Sequence, residues 1–289
     1  MFDINDLLNN LHVEQLDRLL FRGASLPLPL PKVFGGQVLA QSLNAAQRTV
    51  ENDRHAHSMH AYFLRPGNAA APIIYDVDPI RDGRSFTTRR VVAKQNGVAI
   101  FSCSVSFQLL EEGFDHQMSM PDKVPTPESL ERNIEKIQEG GKQNSGKRQP
   151  FEFPLAAVDI RAVSFEDPYN PQPSEPVQGY WFRYEGSLDD DPDTHRTLLS
   201  YISDKELMLT GLRPHGVNML TPGVQLASLD HALWFHTNFR VDQWLYYHID
   251  SPRAARSRNF GRGSFYTRNG VLVASSAQEG LIRLWDESR

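Results

Sequence analysis

Apolar and polar positions alternate most regularly at Phe101-Ser102-Cys103-Ser104-Val105-Ser106-Phe107. A period of two puts Phe101, Cys103, Val105 and Phe107 on one face of a strand, the face that turns to a core. Just before it, Asn96-Gly97 separates two strand-like runs, and Asn269-Gly270 does the same near the other end of the chain. Asn-Gly between such runs signals a hairpin, because both turn positions need positive φ. Helix-like patterning occupies residues 36–49 and 197–209. In the second segment Leu198, Ile202 and Leu209 form an apolar stripe, with Tyr201 and Met208 beside it. Between these regions, residues 111–150 turn rich in Pro, Gly and charge. There Thr126-Pro127-Glu128 reads as an N-cap, a proline at the first helical position and an acidic first turn. A short polar helix is expected from there to about Gln138, ended by Gly140-Gly141. Such a segment is more often an interdomain connector than a site.

The two flanks of the connector share an order of elements. The Asn-Gly turns lie 173 residues apart, and the pair His60-Ala61 returns as His231-Ala232 at an offset of 171. Each His-Ala pair precedes an apolar-aromatic strand, and a helix-like segment precedes each. Few letters match, but the shared order points to a tandem duplication of a unit with one helix and several antiparallel strands. The expected fold is therefore α+β, with one unit at residues 1–110, a polar connector at 111–150 and a second unit at 151–289.

Carried across by 173 residues, the inward set of the first unit falls on Ala274, Ser276, Gln278 and Gly280. Gln278 thus takes the inward position held by Val105. A buried primary amide costs a few kcal/mol unless its donors and acceptors are matched. Either Gln278 braces the backbone or it holds a ligand or a water, and its small neighbours leave room beside it. Asp204 sits at the edge of the stripe on 197–209. It is a solvated helix carboxylate, or, if a sheet wraps the helix, a buried one needing a partner such as Gln278.

Other motifs weaken on inspection. His55-Ala56-His57-Ser58-Met59-His60 approaches a metal-binding HxHxDH cluster, but Met59 stands where the aspartate belongs, and alternation turns His60 away from His55 and His57. Adjacent strand residues such as Asp230 and His231 point to opposite faces, and His231 shares its repeat position with His60, so a structural role is expected for it. Cys103 belongs to the inward apolar set, as a small core residue rather than a nucleophile. No GxSxG elbow, P-loop or GxGxxG turn is present. Arg253, Arg256, Arg258 and Arg262 form a local basic cluster, either a solvated edge strand or a contact for a phosphate-bearing ligand.

Composition narrows the class further. The 289 residues are 40% hydrophobic and 22% charged, an ordinary globular balance. The net charge of −5 supplies no basic field for nucleic acid or anionic membrane. One cysteine excludes an intramolecular disulfide and a cysteine-based zinc site. No run reaches the ~18 apolar residues of a membrane span, and the N-terminal residues are acidic where a secretory signal is basic. A cytoplasmic protein is expected.

At VFGGQVLAQSLNAAQ, HSMHAYFLRPG, PIIYDV, RDGRSF and GSFYTRNGVLVASSAQEG the chain resembles the acyl-CoA thioesterase II family, over nearly all its length apart from the connector. The resemblance implies a double hotdog fold, in which each of two tandem units wraps a curved antiparallel sheet around a long central helix. It implies hydrolysis of medium- to long-chain fatty acyl-CoA to fatty acid and CoA, with no metal, cofactor or covalent intermediate. The family's catalytic trio falls on Asp204 in YISDKEL, Ser228 in LASLDH and Gln278 in SSAQEG. Ser228 stands where many bacterial members have threonine, and the lost methyl loosens its rotamer. Gly35-Gly36-Gln37, opening the first helix, is the candidate oxyanion hole, because a glycine turn and a helix N-terminus present N–H groups to negative charge. Arg253, Arg256 and Arg258 are candidate contacts for the CoA phosphates. A homodimer or homotetramer is expected, without nucleic acid. The alternative is a non-catalytic acyl-CoA or lipid-binding hotdog protein. A hotdog enoyl-CoA hydratase lacks its GDxNPxH-like segment here.

Overall fold

The structure, a computed structural model, describes residues 3–26, 32–144 and 157–285. The end of the connector and the first residues expected in the second unit lie outside the described residues. In chain order the elements are α1 (Ile4–Leu11), β1 (Glu14–Asp17), β2 (Leu20–Gly23), α2 (Gly35–Gln47), β3 (Arg54–Phe63), β4 (Ile73–Asp82), β5 (Phe86–Gln95), β6 (Val98–Leu109), α3 (Asn133–Gln143), β7 (Val158–Ala162) and β8 (Val177–Tyr184). There follow α4 (Pro192–Ser203), α5 (Leu207–Thr210), β9 (Val224–Ser228), β10 (Asp230–Phe235), β11 (Leu245–Ala255), β12 (Arg258–Thr267) and β13 (Leu272–Leu284). They gather into two compact units that do not follow chain order: one comprises Met1–Gln117, Leu188–Lys205 and Asp230–Arg240, the other Met118–Ser187, Glu206–Leu229 and Val241–Arg289. Helix α4 and strand β10, from the second half of the sequence, thus cluster with the first half.

In the first unit the strands run β1-β2-β4-β5-β6-β3-β10, all antiparallel neighbours. Helix α2 lies against β3 to β6 and packs on α4, which explains why all but two of its residues are buried. Its buried amides are matched. Gln41 Nε2 donates to the carbonyls of Asn10 and Ala24 at 2.6 and 3.0 Å, and Gln47 Oε1 accepts from Thr197 of α4 at 3.0 Å. In the second unit the order is β9-β13-β12-β11-β8-β7, again antiparallel throughout.

The alternation read for β6 holds, with Phe101, Cys103, Val105 and Phe107 all buried. Ala274, Ser276, Gln278 and Gly280 are likewise buried on β13. The two Asn-Gly turns differ. Asn96 and Gly97 both have positive φ (49° and 77°), as a two-residue hairpin turn requires. At the second turn only Gly270 does (81°), while Gly270 N–H donates to Thr267 O, and Thr267 N–H to Val271 O. That is a longer loop whose glycine supplies the bulge. The β11–β12 hairpin turns on Arg256 and Ser257, both at positive φ (53° and 60°) with no glycine to signal it.

Three other expectations are corrected. The 197–209 helix is two helices: α4 starts at Pro192, N-capped by Asp191, and ends at Ser203. Glu206 then takes a left-handed conformation (φ 70°) before α5, so Leu209 is not on the stripe of Leu198 and Ile202. In the connector, Thr126 gives no side-chain cap. Pro127–Ser129 forms one 3-10 turn, and α3 runs from Asn133 through Gly140-Gly141 to Gln143. Asn144 closes it instead, bonding Gly140 O through both its N–H and its side-chain amide at 3.1 and 3.0 Å. Finally, the His-Ala pairs are not equivalent in face. His60 is exposed and packs edge-on to Trp234, whereas His231 is buried. The two histidines therefore point to opposite faces of their sheet strands, and a shared repeat position does not give them a shared role.

Candidate active site

In the first unit Asp204 is the C-cap residue of α4, half-buried, its N–H bonded to Ile202 O. Helices α2 and α4 run antiparallel, since Gln47 bonds the N-terminal end of α4 at Asp193 O and Thr197 while Gly36 meets Tyr201 at the other end. The C-terminus of α4 therefore meets the N-terminus of α2. A methyl group on Gly36 would collide with the Tyr201 carbonyl, and one on Gly35 would lie 2.6 Å from Asp204 Oδ2 and 2.9 Å from the Phe63 ring. Two missing Cβ atoms thus let the helices close and set the Asp204 carboxylate against the start of α2. Phe34, the N-cap residue of that helix, supplies no side-chain cap, and the positive end of the helix attracts negative charge.

Of the three residues read as an oxyanion hole, Gln37 has other partners. Its Oε1 accepts from Leu26 N–H at 2.9 Å, its Nε2 donates to Ala24 O at 3.2 Å, and its own N–H donates to Phe34 O at 3.1 Å. It braces the segment after β2, which leaves Gly35 and Gly36 at the open end of the helix.

In the second unit Gln278 is 2% exposed. Its cross-strand partner is Gly261 on β12, where a Cβ would meet Leu207 O of α5 at 2.7 Å. The backbone of α5 therefore lies on the sheet beside the amide. Ser228 ends β9 directly opposite Gly280, a register fixed further by Leu229 N–H on Glu279 O at 2.9 Å. Opposed residues share a face, so Ser228 lies diagonally from Gln278, about 7 Å between such positions. Gly280 has no side chain to fill the corner, and Met208 of α5 comes down over it. Next along the inner face, Ser276 Oγ bonds Tyr247 OH at 2.8 Å.

The basic cluster divides. Arg258 pairs with Glu279 at 2.8 Å and Arg262 with Asp250 at 2.6 Å, and the latter bond raises the Arg262 pKa further. Exposed pairs of this kind contribute about 1 kcal/mol or less. Arg253 and Arg256, at the end of the hairpin, are exposed and have no acidic partner among the described residues. The histidines of β3 are engaged one by one: His57 Nε2 with Ser106 Oγ at 2.8 Å, His55 with Asp193 at 3.5 Å, His60 on Trp234. Among the described residues no three His, Cys, Asp or Glu side chains gather as a metal site would need. Burial pushes the Cys103 thiol up to about 12, well away from a nucleophile.

An antiparallel sheet with a buried helix laid on it defines a protein of the hotdog fold. A protein of unknown function from Alicyclobacillus acidocaldarius, solved and described as having that fold, superimposes with a TM-score of 0.77 over 97% of this chain and 99% of its own at 15% identity, which establishes the architecture alone. The chain belongs to the acyl-CoA thioesterase family. Residues 147–281 match the family model for acyl-CoA thioesterase, and residues 26–108 that for the acyl-CoA thioesterase N-terminal domain. Acyl-CoA thioesterase 2 of Haemophilus influenzae is 37% identical over 97% of this chain and 98% of its own length. The crystal structure of an acyl-CoA thioesterase II, TesB2, from Mycobacterium marinum is 38% identical, with a TM-score of 0.79 over 96% of this chain and 98% of that one.

Proposed function

We propose that this protein hydrolyses medium- to long-chain fatty acyl-CoA to the free fatty acid and CoA, within a tandem double hotdog architecture. Family membership supports the reaction. The observation that carries the assignment of residues is Gln278: a primary amide buried on the inner face, flanked by glycines, with the Ser228 hydroxyl on the same face. In this reading Asp204 orients the attacking water and takes its proton, while Ser228 and Gln278 hold that water by hydrogen bonds. The water oxygen adds to the thioester carbonyl, the C–S bond breaks, and the thiolate of CoA leaves with the proton. Carboxylate, hydroxyl and amide suffice because a thiolate leaves readily. The N–H groups of Gly35 and Gly36 face the developing oxyanion, and Arg253, Arg256 and Arg258 meet the phosphates of CoA. No metal or cofactor is invoked.

The test is thiol release from palmitoyl-CoA and from a chain-length series, with wild type, Asp204→Asn and Gln278→Ala. Both variants should fold, and each should lose at least about 10²-fold in kcat. Near-wild-type turnover by Asp204→Asn would overturn these roles. Binding of acyl-CoA by the wild type without thiol release would favour the non-catalytic alternative. A homodimer or homotetramer accompanies this proposal, to be measured by light scattering.

A further inference from the structure

The proposed mechanism makes no use of a buried polar pair one residue away from Asp204. Ser203, the last residue of α4, is 0% exposed, and its hydroxyl donates to Ser200 O at 2.9 Å. The same oxygen lies 3.0 Å from Nε2 of His231, which is 1% exposed on β10. With the hydroxyl proton already directed at Ser200 O, the shared proton belongs to the imidazole, so Nε2–H donates to Ser203 Oγ. His231 is itself held firmly: its strand pairs residue by residue with β3, from Asp230 opposite Tyr62 to Trp234 opposite Ser58. Burying an imidazole and a hydroxyl is expensive unless they find each other, and two apolar side chains would fill the same space without that condition. What the polar pair adds is direction.

A helix end is where direction is needed. The last turn of a helix lacks onward hydrogen bonds and frays. Here the chain leaves α4 at Asp204 and reaches a left-handed residue at Glu206, so the helix does not continue and cannot hold the carboxylate in place. We propose that His231 is a positioning residue: by tethering Ser203 to the β10 strand it fixes the end of α4, and with it the Asp204 carboxylate beside Gly35. This rests on the reading that Asp204 handles the water. It also gives His231 a role within the reaction while keeping it away from the reacting atoms.

The experiment compares His231→Leu, His231→Gln, Ser203→Ala and the Ser203→Ala/His231→Leu double variant in the full chain, with Asp204→Asn alongside. Thiol release from palmitoyl-CoA gives kcat and KM, and urea unfolding gives stability. Ser203→Ala removes one oxygen from a helix and should fold. The expected result is a kcat lower by about 10- to 100-fold for Ser203→Ala and His231→Leu, the range for an ångström-scale misplacement. KM should stay within about 2-fold, the double variant should be no slower than the worse single, and His231→Gln should recover most of the rate through its amide donor. A merely structural pair would lower stability and leave kcat unchanged under folding conditions, and that result overturns the inference. So does additive loss in the double variant. If Asp204→Asn keeps its activity, the underlying reading falls with it. If only Asp204→Asn is inactive, the reading stands and the inference fails.

Discussion

Gly35→Ala separates position from stability at the candidate site. The added Cβ would stand 2.6 Å from Asp204 Oδ2 and 2.9 Å from Phe63 Cε1, against ordinary contact distances of about 3.5 Å. The carboxylate must therefore retreat by roughly 1 Å or rotate, and a displacement of that size at a reacting group costs about 10²-fold in rate. Stability should change by less than about 1 kcal/mol, because both obstacles, the Asp204 carboxylate and the edge of the Phe63 ring, are side-chain ends rather than backbone and alanine is the better helix former. Gly36→Ala provides the contrast. Its methyl group meets the Tyr201 carbonyl, part of the backbone of α4, together with the Phe34 ring. The carbonyl cannot move without separating the helices, so about 1–3 kcal/mol of stability should be lost. Urea unfolding and thiol release from palmitoyl-CoA, measured on both variants, decide the matter. If Gly35→Ala turns over within about 2-fold of wild type, Asp204 is not held where the reaction needs it and the reasoning fails.

Further outcomes follow from burial and backbone strain. Burial holds the Cys103 thiol at about 12 against an ordinary 9.0 and the Tyr246 phenol at about 12 against 10.0, and raises Tyr75 and Tyr180 as well. The unfolded chain loses these protons first, so stability present below pH 9 should fall as pH rises towards 12. Cys103→Ala should lessen that slope by about 1.4 kcal/mol per pH unit between those limits; an identical slope in variant and wild type would show the thiol to be accessible. Replacing the left-handed Arg256-Ser257 turn by Asn-Gly should stabilise the protein by about 1 kcal/mol, read from the urea midpoint. If the same change leaves KM for acyl-CoA untouched, Arg256 is no phosphate contact. Asp159 is buried and accepts from Arg161 at 2.8 and 3.1 Å, and Arg161 in turn donates to Pro127 O and Leu130 O. Asp159→Asn should cost about 3 kcal/mol and expose residues 127–143 to protease; unchanged cleavage would mean that the connector is anchored by other contacts.

How far the sequence could be read depends on the range of the forces concerned. Strand alternation is local and strict, so the inward place of Gln278 was legible once the Asn-Gly turns set the offset. Asp204 was singled out for a reason that fails, a helix edge, because nothing in Ser203-Asp204-Lys205-Glu206 announces a left-handed residue. The true start of α4 does carry a signal, Asp191-Pro192 as N-cap and first helical residue, which lies upstream of the apolar stripe. Ser228 was reached through resemblance alone; its pattern is an ordinary strand end, and only the pairing with Gly280 across β9 and β13 sets it near Gln278. Such pairing joins residues about fifty positions apart, and no local pattern encodes it. The grouping of α4 and β10 with the first half is likewise a property of contacts.

A mechanism built from a carboxylate, a hydroxyl and an amide has no strong nucleophile in reserve, so its rate rests on placement. Under the proposed mechanism, placement comes from residues that do little chemistry. Gly35 admits the Asp204 carboxylate to the end of α2, Gly261 and Gly280 admit α5 to the sheet beside Gln278, and the Ser203–His231 bond fixes the end of α4. Substitutions among these should therefore fall into two classes that a single activity measurement would merge. Where the new atom meets the tip of a side chain, as at Gly35, kcat falls while the unfolding midpoint holds. Where it meets backbone, as at Gly36 and Gly261, the packing itself opens, and rate and stability fall together. If every one of these variants lost rate only in proportion to stability, placement would be no more than folding, and the glycines would owe their positions to packing alone.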